Sequence, residues 1–440
     1  MRNNGAVRLL PYNALVNPQH FAHMRTSTAI CALSLLLPLS AQAAQKMPKL
    51  IDSKAGEQTV ALYENLHVVG QNHVLFGHHD TLAYGHDWIA EPNRSDIKDV
   101  TGDFPAVYGW DLAPLEPEDM NPKLNKQRMS KELMLDFARQ GYERGGVITY
   151  CWHASNPVTK KNFHDRTPAM HTMLPGGENH EYLKLMLDRF AEFFKELDPI
   201  PVVFRPYHEH NGEWFWWGKT NCSEEDFIAI WRFTVEYLRD VKEVHNLIYA
   251  FSPDRGRIDL DKGYADYFYA YPGDEYVDII GLDDYVDVRE PRAEVDPGEK
   301  PEKPIEGKIL DLVTSLEMIV RIAEERGKVP ALTETGNDQQ KIPNWWTKVL
   351  LRALDANDKT RKVAWVEVWR NANAELEGHE HYFAPFKGHP MEADFIDFCN
   401  TDLVMLESDL PDMYKRPCCP KESPKCEDSL TECPDKPCGK

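Results

Sequence analysis

Residues 202–218 read Val202-Val-Phe-Arg-Pro-Tyr-His-Glu-His-Asn-Gly-Glu-Trp-Phe-Trp-Trp-Gly218. Three apolar residues give way abruptly to Arg205, His208 and Glu209, and four aromatic residues follow. A continuous apolar run is typical of a strand that is buried on both faces, as in a parallel sheet. A carboxylate at the end of such a strand, beside rings that stack on the C–H faces of sugars, indicates a carbohydrate-active site.

The same pattern occurs eight times along the chain: an apolar run ends in polar or aromatic residues, and a loop and an amphipathic helical segment follow. This alternation predicts an α/β fold, a (β/α)8 TIM barrel with long βα loops. A doubly wound open sheet is the alternative, but it concentrates functional residues at one switch point, whereas here they follow nearly every run. The eight runs are residues 73–79, 105–111, 146–153, 202–209, 246–252, 277–283, 329–334 and 363–369.

Charge and composition limit the classes of partner. The net charge of −21, from 50 basic and 71 acidic residues, argues against nucleic acid, because like charges repel. No Gly/Ser linker divides the middle of the chain, so residues 45–412 are predicted to form one catalytic barrel. Residues 1–44 are interpreted as an N-terminal extension and signal peptide, and residues 413–440 as a short Cys-rich tail. We expect a monomer.

The N-terminal segment has the order of a secretory signal. A positively charged start at Met24 precedes a short apolar run, and small residues follow at 40–44. This order predicts cleavage near Ala43 or Ala44, with residues 1–23 as an upstream extension. The apolar run is too short to span a bilayer stably. We therefore expect a secreted or periplasmic chain without stable membrane insertion; a membrane anchor is the alternative.

The C-terminal tail is rich in Cys, Pro and Lys. In an exported protein such a density of cysteines predicts a disulfide-stapled segment. A zinc knuckle is the alternative, but the tail has neither paired C-x-x-C units nor a histidine. An odd number leaves one partner open, either Cys399 or another molecule. The tail holds five of the nine cysteines of the chain: Cys418, Cys419, Cys426, Cys433 and Cys438.

Two glutamates stand at the ends of predicted barrel strands, Glu209 at the fourth and Glu334 at the seventh. Retaining glycoside hydrolysis needs two carboxyl groups about 5–5.5 Å apart, and inversion needs about 6.5–9.5 Å, a distance that the sequence leaves open. Arg205 and Tyr285 are candidates to stabilise the charge of Glu334 as a nucleophile. The rings at 214–217 would desolvate Glu209 and raise its pKa, as an acid requires. A structural ion pair is the alternative for either residue.

Aromatic and histidine residues complete the predicted site. Trp110, Trp217 and Trp369 lie at or just past strand ends, where their rings would stack on sugars. His78, His153 and His208 also end runs, and with Asp111 or Asp283 they form a possible zinc site. Hydrogen bonds to sugar hydroxyls account for the same residues, and no H-E-x-x-H motif is present, so we predict neither a metal nor a cofactor.

The stretch Arg205-Pro-Tyr-His-Glu-His-Asn-Gly-Glu-Trp-Phe-Trp-Trp-Gly218 resembles the signature of glycoside hydrolase family 26, whose members are mostly β-mannanases. The resemblance covers residues of about 50 to 400, the whole predicted barrel. Position 207 is Tyr, where many relatives carry Leu or Met, which changes the packing behind the site. Weaker similarities occur in the family's order at residues 76–85, 109–112, 152–153, 281–285 and 333–336.

The resemblance implies a retaining mechanism on β-1,4-linked mannan or manno-oligosaccharides, with Glu209 as acid/base and Glu334 as nucleophile. It also implies that His208 orients Glu209 and that Tyr285 contacts Glu334. Xylan or mixed-linkage β-glucan are alternative substrates, and a non-catalytic glycan-binding barrel is an alternative function. The residues that the resemblance implies around the sugar at the cleavage subsite are His153, Asp283, Trp214 and Trp369.

Overall fold

The computed structural model describes residues 47–120, 129–262, 264–293 and 301–417. The interpreted signal peptide and the five tail cysteines lie outside these residues, and so does part of the long loop between the sixth and seventh strands. These interpretations stay predictions. Within the described residues Cys151, Cys222 and Cys399 are free thiols.

The predicted (β/α)8 barrel is confirmed. Eight parallel strands follow one another in chain order around the sheet, and the first strand pairs with both the second and the eighth, which closes the barrel. In the closing pair Leu75 lies opposite Trp365 and His78 lies opposite Val368. The strands are β1 (Val74–His79), β2 (Val107–Asp111), β3 (Val147–Trp152), β4 (Val202–Pro206), β5 (Leu247–Phe251), β6 (Ile279–Asp284), β7 (Val329–Thr335) and β8 (Trp365–Val368).

Helices follow most of the strands. Serine N-caps start three of them, because each hydroxyl accepts a hydrogen bond from a free backbone N–H of the first turn: Ser95, Ser130 and Ser223. No helix within the described residues is both long enough and apolar enough to cross a membrane. The helices are α1 (Glu57–Val69), α2 (Asp96–Thr101), α3 (Lys131–Glu143), α4 (His180–Leu197), α5 (Glu224–Glu236), α6 (Ile305–Arg326), α7 (Leu351–Leu354), α8 (Ala374–Glu377) and α9 (Glu392–Cys399).

Shorter elements fill the remaining connections. Between β5 and β6 the structure has three 3-10 turns where the repeat predicts a helix: Arg255–Arg257, Leu260–Lys262 and Asp274–Tyr276. A π-helical turn extends α5, and another precedes α7: Tyr237–Val241 and Trp346–Leu350. The loop after β1 contains a two-stranded hairpin, and a last short strand pairs with β1: Tyr84–Gly85 with Trp88–Ile89, and Val404–Met405.

The apolar core has two layers because side chains alternate along each strand. One cluster fills the barrel with small and medium side chains, such as Leu75, Val147 and Ile248. The other cluster lies between the barrel and the helices and takes larger rings, such as Phe204 and Tyr249. A strand residue that faces the helices therefore cannot reach the barrel mouth.

Helix α1 closes the end of the barrel opposite the strand carboxyl ends. Its buried residues Leu62 and Leu66 belong to the cluster that fills the barrel. The hydroxyl of Tyr63, on the same helix, donates to the backbone oxygen of Asp278, just before β6. The Asp278 carboxylate accepts from the backbone N–H of Ile51 at 2.8 Å and joins the preceding segment to this floor.

We expect Leu66→Ala to destabilise the protein by about 2–5 kcal/mol, because it leaves a cavity where α1 closes the barrel. Val68→Ala is the matched control, since Val68 lies on the same helix but is 40% exposed. We expect its effect to stay within about 0.5 kcal/mol. Urea unfolding at neutral pH measures both. Equal effects would show that α1 does not seal the core.

Candidate active site

The turn after β4 has a backbone that side chains rarely adopt. Tyr207 and Glu209 have φ values of 50° and 52°, in the left-handed region. Each residue in this conformation lowers the stability of the folded state by about 1–3 kcal/mol, so contacts with the surrounding structure must maintain it. The backbone N–H of Glu209 donates to the oxygen of Ser252 at 2.8 Å. The Asn211 amide both donates to and accepts from the backbone of Asp254, so the turn is fixed to the end of β5.

The three tryptophans after this turn donate hydrogen bonds to different partners. The indole N–H of Trp217 donates to the backbone oxygen of His208, and that of Trp216 donates to Ala154 in the loop after β3. Both rings are buried. Trp214 is half-buried, and its N–H donates to Oε2 of Glu209 at 2.6 Å. The aromatic run therefore holds the turn and aims its carboxyl group.

Arg205 lies at the centre of the barrel mouth. Its guanidinium donates to Oδ2 of Asp283 at 2.7 Å and to Oε2 of Glu334 at 2.5 Å. All three side chains are buried, and Asp283 is 0% exposed. Asp283 also accepts from the hydroxyls of Ser252 and Thr333. The cation thus joins the ends of β4, β6 and β7.

Both oxygens of Glu334 accept hydrogen bonds. Arg205 donates to Oε2, and the hydroxyl of Tyr285 donates to Oε1 at 2.8 Å. Two fixed donors, one of them charged, set the direction of this carboxyl group. Burial and the neighbouring carboxylate of Glu334 raise the pKa of the Tyr285 phenol, so this residue stays a hydrogen-bond donor at neutral pH.

Glu209 lies in the opposite electrostatic environment. Burial raises its pKa well above the ordinary value, and the carboxylates of Asp254, Glu334 and Asp283 raise it further. The Trp214 N–H opposes this shift, because it stabilises the charged form. A buried carboxyl group with this balance keeps its proton near neutral pH and can act as an acid.

A cleft of about 430 Å³ lies beside this pair, at the ends of β1, β2, β3 and β8. Its wall includes Asp111, His153 and Trp369. Nδ1 of His153 lies 2.6 Å from Oδ2 of Asp111. The cleft adjoins the two carboxyl groups, because the His153 ring meets that of His208 at 4.6 Å. The backbone N–H of Trp369 donates to Thr335, next to Glu334.

Two residues of the site are missing from the sequence prediction, His79 and Glu367. The His79 imidazole stacks on Trp369 at 4.2 Å, and its Nδ1 lies 3.3 Å from Oε1 of Glu367. Burial opposes the charged form of His79, but Asp80 and Glu367 outweigh it and raise the pKa. Both residues could have been found from the sequence. Glu367 is a charged residue within a buried apolar strand, which is rare without a partner or a function. His79 is the end residue of β1 that alternation places on the interior side of the barrel.

Three predicted sugar contacts do not fit their positions. Trp110 is fully buried and faces the helices, where it stacks with Tyr108 and Phe137. His78 points away from the barrel interior because its neighbour His79 points into it, and burial lowers its pKa to about 3. Trp217 lies beneath His208 and is 0% exposed. These positions correct the prediction: the three residues are buried behind the site and do not line the cleft.

The structure brings the remaining predicted residues together. Burial, followed by the charge of Arg205, lowers the pKa of His208 well below its ordinary value, so its ring stays neutral. Asp283 is a fourth predicted sugar contact that needs correction, because it holds Arg205 and is too deeply buried to meet a substrate. One group of three possible metal ligands lies within the described residues, at the ends of β2 and β3: Asp111, Cys151 and His153.

Comparison with known proteins identifies the family of the chain. The family model described as Glycosyl hydrolase family 26 matches residues 51–363. A mannan endo-1,4-β-mannosidase of Bifidobacterium adolescentis is 32% identical over 373 residues, which are 81% of this chain and 35% of that protein. A mannan endo-1,4-β-mannosidase of Bacillus subtilis (strain 168) is 31% identical over 49% of this chain and 59% of that protein. The chain thus spans only part of either relative.

Two solved structures show the same fold over most of the chain. The GH26C structure from Muricauda sp. MAR_2010_75 has a TM-score of 0.73 and 33% identity, and the match covers 84% of this chain and 96% of that one. A GH26 β-mannanase structure from Bacteroides ovatus has a TM-score of 0.71 and 34% identity, covering 82% of this chain and 98% of that one.

We expect Arg205→Met to destabilise the protein by about 3–5 kcal/mol at pH 7, because Asp283 and Glu334 would then face each other without the buried cation. The loss should shrink at lower pH, because burial raises the pKa of Asp283 well above its ordinary value and a proton on that carboxylate removes an unpaired buried charge. Arg257→Met is the control, since Arg257 pairs with Glu213 at the surface and should contribute less than about 1 kcal/mol. Urea unfolding between pH 5 and pH 8 compares the two; a pH-independent loss would contradict the interpretation.

Proposed function

The chain belongs to glycosyl hydrolase family 26, and we propose that it is a mannan endo-1,4-β-mannosidase that works by retention. The observation that carries this proposal is the unlike environment of two carboxyl groups at one barrel mouth. Burial raises the pKa of Glu209, while both oxygens of Glu334 accept hydrogen bonds from Arg205 and Tyr285. One group is suited to donate a proton, and the other to attack as an anion.

In the first step Glu334 attacks the anomeric carbon and forms a glycosyl ester. The bond to the leaving oxygen breaks, and that oxygen takes the proton of Glu209. In the second step the Glu209 carboxylate takes a proton from water, and the water oxygen attacks the anomeric carbon. The ester bond then breaks, Glu334 leaves as a carboxylate, and the product keeps the configuration of the substrate.

The same charges explain how Glu209 changes its role. The negative charge of Glu334 is one of the causes that raise the pKa of Glu209. Esterification removes this charge, so the pKa of Glu209 falls in the intermediate, where a base is required. The Trp214 N–H, 2.6 Å from Oε2, stabilises the resulting carboxylate.

The adjoining cleft supports a polysaccharide substrate. Trp369 offers a ring at its wall, and Asp111 and His153 offer polar atoms for sugar hydroxyls. The relatives' names supply mannan as the substrate class, and linear β-1,4-linked mannan is therefore the substrate that we propose.

The first test compares the release of reducing ends from linear mannan, glucomannan, xylan and mixed-linkage β-glucan. We expect release from the two mannans, with the first product in the β configuration by NMR, because retention preserves the substrate anomer. Glu334→Ala is the inactive control, since it lacks the nucleophile. Preferred cleavage of xylan or β-glucan would overturn the substrate, and no release from any glycan would favour a binding protein.

The two glutamates should respond differently to substitution. We expect Glu209→Ala to lose about 10²–10⁴-fold in kcat on mannan, but little in glycosyl-enzyme formation from a dinitrophenyl mannobioside, whose leaving group needs no proton. Glu334→Ala should lose activity on both substrates, because no ester can form. Burst kinetics with the two substrates measure this difference. Equal losses for Glu209→Ala on both substrates would contradict its role as the acid.

A further inference from the structure

Three side chains of different chemistry meet at the ends of β2 and β3, beside the cleft: Asp111, Cys151 and His153. Sγ of Cys151 lies 3.8 Å from Oδ2 of Asp111 and 3.7 Å from Nδ1 of His153. The third edge of the triangle, from Nδ1 to Oδ2, is 2.6 Å. A thiol, an imidazole and a carboxylate are the three side-chain groups that zinc prefers in proteins.

The triangle has nearly the size that a zinc ion requires. Tetrahedral zinc, with bonds of about 2.3 Å to sulfur and about 2.0–2.1 Å to nitrogen and oxygen, places the sulfur about 3.5 Å from each of the other two ligands. The two edges from Cys151 match this spacing within a few tenths of an ångström. The same bond lengths separate nitrogen from oxygen by about 3.3 Å, so only the His153–Asp111 edge must widen.

Access and the surrounding charges also favour a cation at this place. Cys151 is 2% exposed at the base of the group, while Asp111 and His153 line the cleft through which an ion can enter. The Cys151 thiol lies near three negative side chains and one positive one. The negative ones are Asp111, Glu334 and Glu367, and the positive one is Arg205. The balance of these neighbours attracts a divalent cation.

The thiol is protonated before a metal binds. Burial raises the pKa of Cys151 well above its ordinary value, and Asp111 raises it further. A coordinated metal displaces the thiol proton, which leaves to solvent as the metal–sulfur bond forms. His153 offers the lone pair of Nδ1 once its proton is on Nε2.

We propose that Asp111, Cys151 and His153 form an inhibitory site for a thiophilic divalent cation, of which zinc is the example. The ion would hold Oδ2 of Asp111 and Nδ1 of His153. Both residues line the cleft, so a bound metal changes the wall that a sugar meets, and metal and sugar compete. The metal-binding part of this proposal rests on the geometry of the three ligands, whereas the inhibition rests on the proposed function. The site differs from the catalytic zinc site considered from the sequence, because here the metal blocks turnover.

Metal binding is tested without any substrate. Cadmium is titrated into the full-length wild type and into Cys151→Ser, and the thiolate-to-cadmium absorption in the ultraviolet is recorded. Tail cysteines contribute equally to both proteins, so we expect the variant to lose the signal of one thiolate. Cys399→Ser, which removes another buried free thiol, is the matched control. We expect this variant to keep the full cadmium signal of the wild type. Equal signals from wild type and Cys151→Ser would overturn the site.

Inhibition is tested by activity on mannan with increasing zinc. We expect zinc to raise KM with little change in kcat, and a chelator to reverse the effect. In Cys151→Ser and Cys151→Ala the zinc concentration for half-inhibition should rise at least about 10-fold, because even the loss of an outer partner of a metal site costs about 10–100-fold. Both variants should keep their activity without zinc, which shows that they fold.

The two experiments separate the two proposals. If zinc half-inhibits Cys151→Ser at the same concentration as the wild type, the inhibitory site is overturned. If no glycan is cleaved by the wild type, the proposed function fails, while the cadmium titration still decides whether the three ligands bind metal.

Discussion

The buried guanidinium of Arg205 is the constraint around which the site is arranged. A cation within the barrel mouth is stable only beside anions, and Asp283 and Glu334 supply them at 2.7 and 2.5 Å. Because Asp283 is buried and bonded to Ser252 and Thr333, it fixes the guanidinium from below. The other terminal nitrogen of Arg205, Nη2, then holds Glu334 in one direction. The position of one carboxylate therefore depends on three strands.

The barrel and several contacts around Glu334 could be predicted from the sequence. Carboxylates end four of the eight apolar runs, among them those of Glu209 and Glu334, and the eight runs predict the barrel that brings strand ends together. Arg205 and Tyr285 were candidates to stabilise Glu334, and the structure places both within hydrogen-bond distance of it. These predictions needed only the order of elements along the chain.

The errors arise where the direction of a side chain decides its role. His78 and His79 both end β1, but a shift of one residue moves a side chain from the barrel interior to the helix layer. Gly77 lies on the interior side of the barrel, since an added Cβ there would lie only 3.0 Å from Val107 and 3.2 Å from Glu367. His79, two residues on, therefore points to the same side. Trp110 faces outward by the same alternation. The approach of Cys151 to Asp111 joins neighbouring strands, and no local pattern reports it.

The aromatic run after β4 shows why a specific motif need not be a list of substrate contacts. Only Trp214 of the residues at 214–217 is half-exposed, and it donates to Glu209. Phe215, Trp216 and Trp217 are buried, and the two indoles among them bind backbone oxygens of neighbouring segments. These contacts offset the cost of the left-handed backbone at Glu209. A turn that holds a buried carboxyl group in this conformation requires this support, and the motif encodes the support together with Glu209.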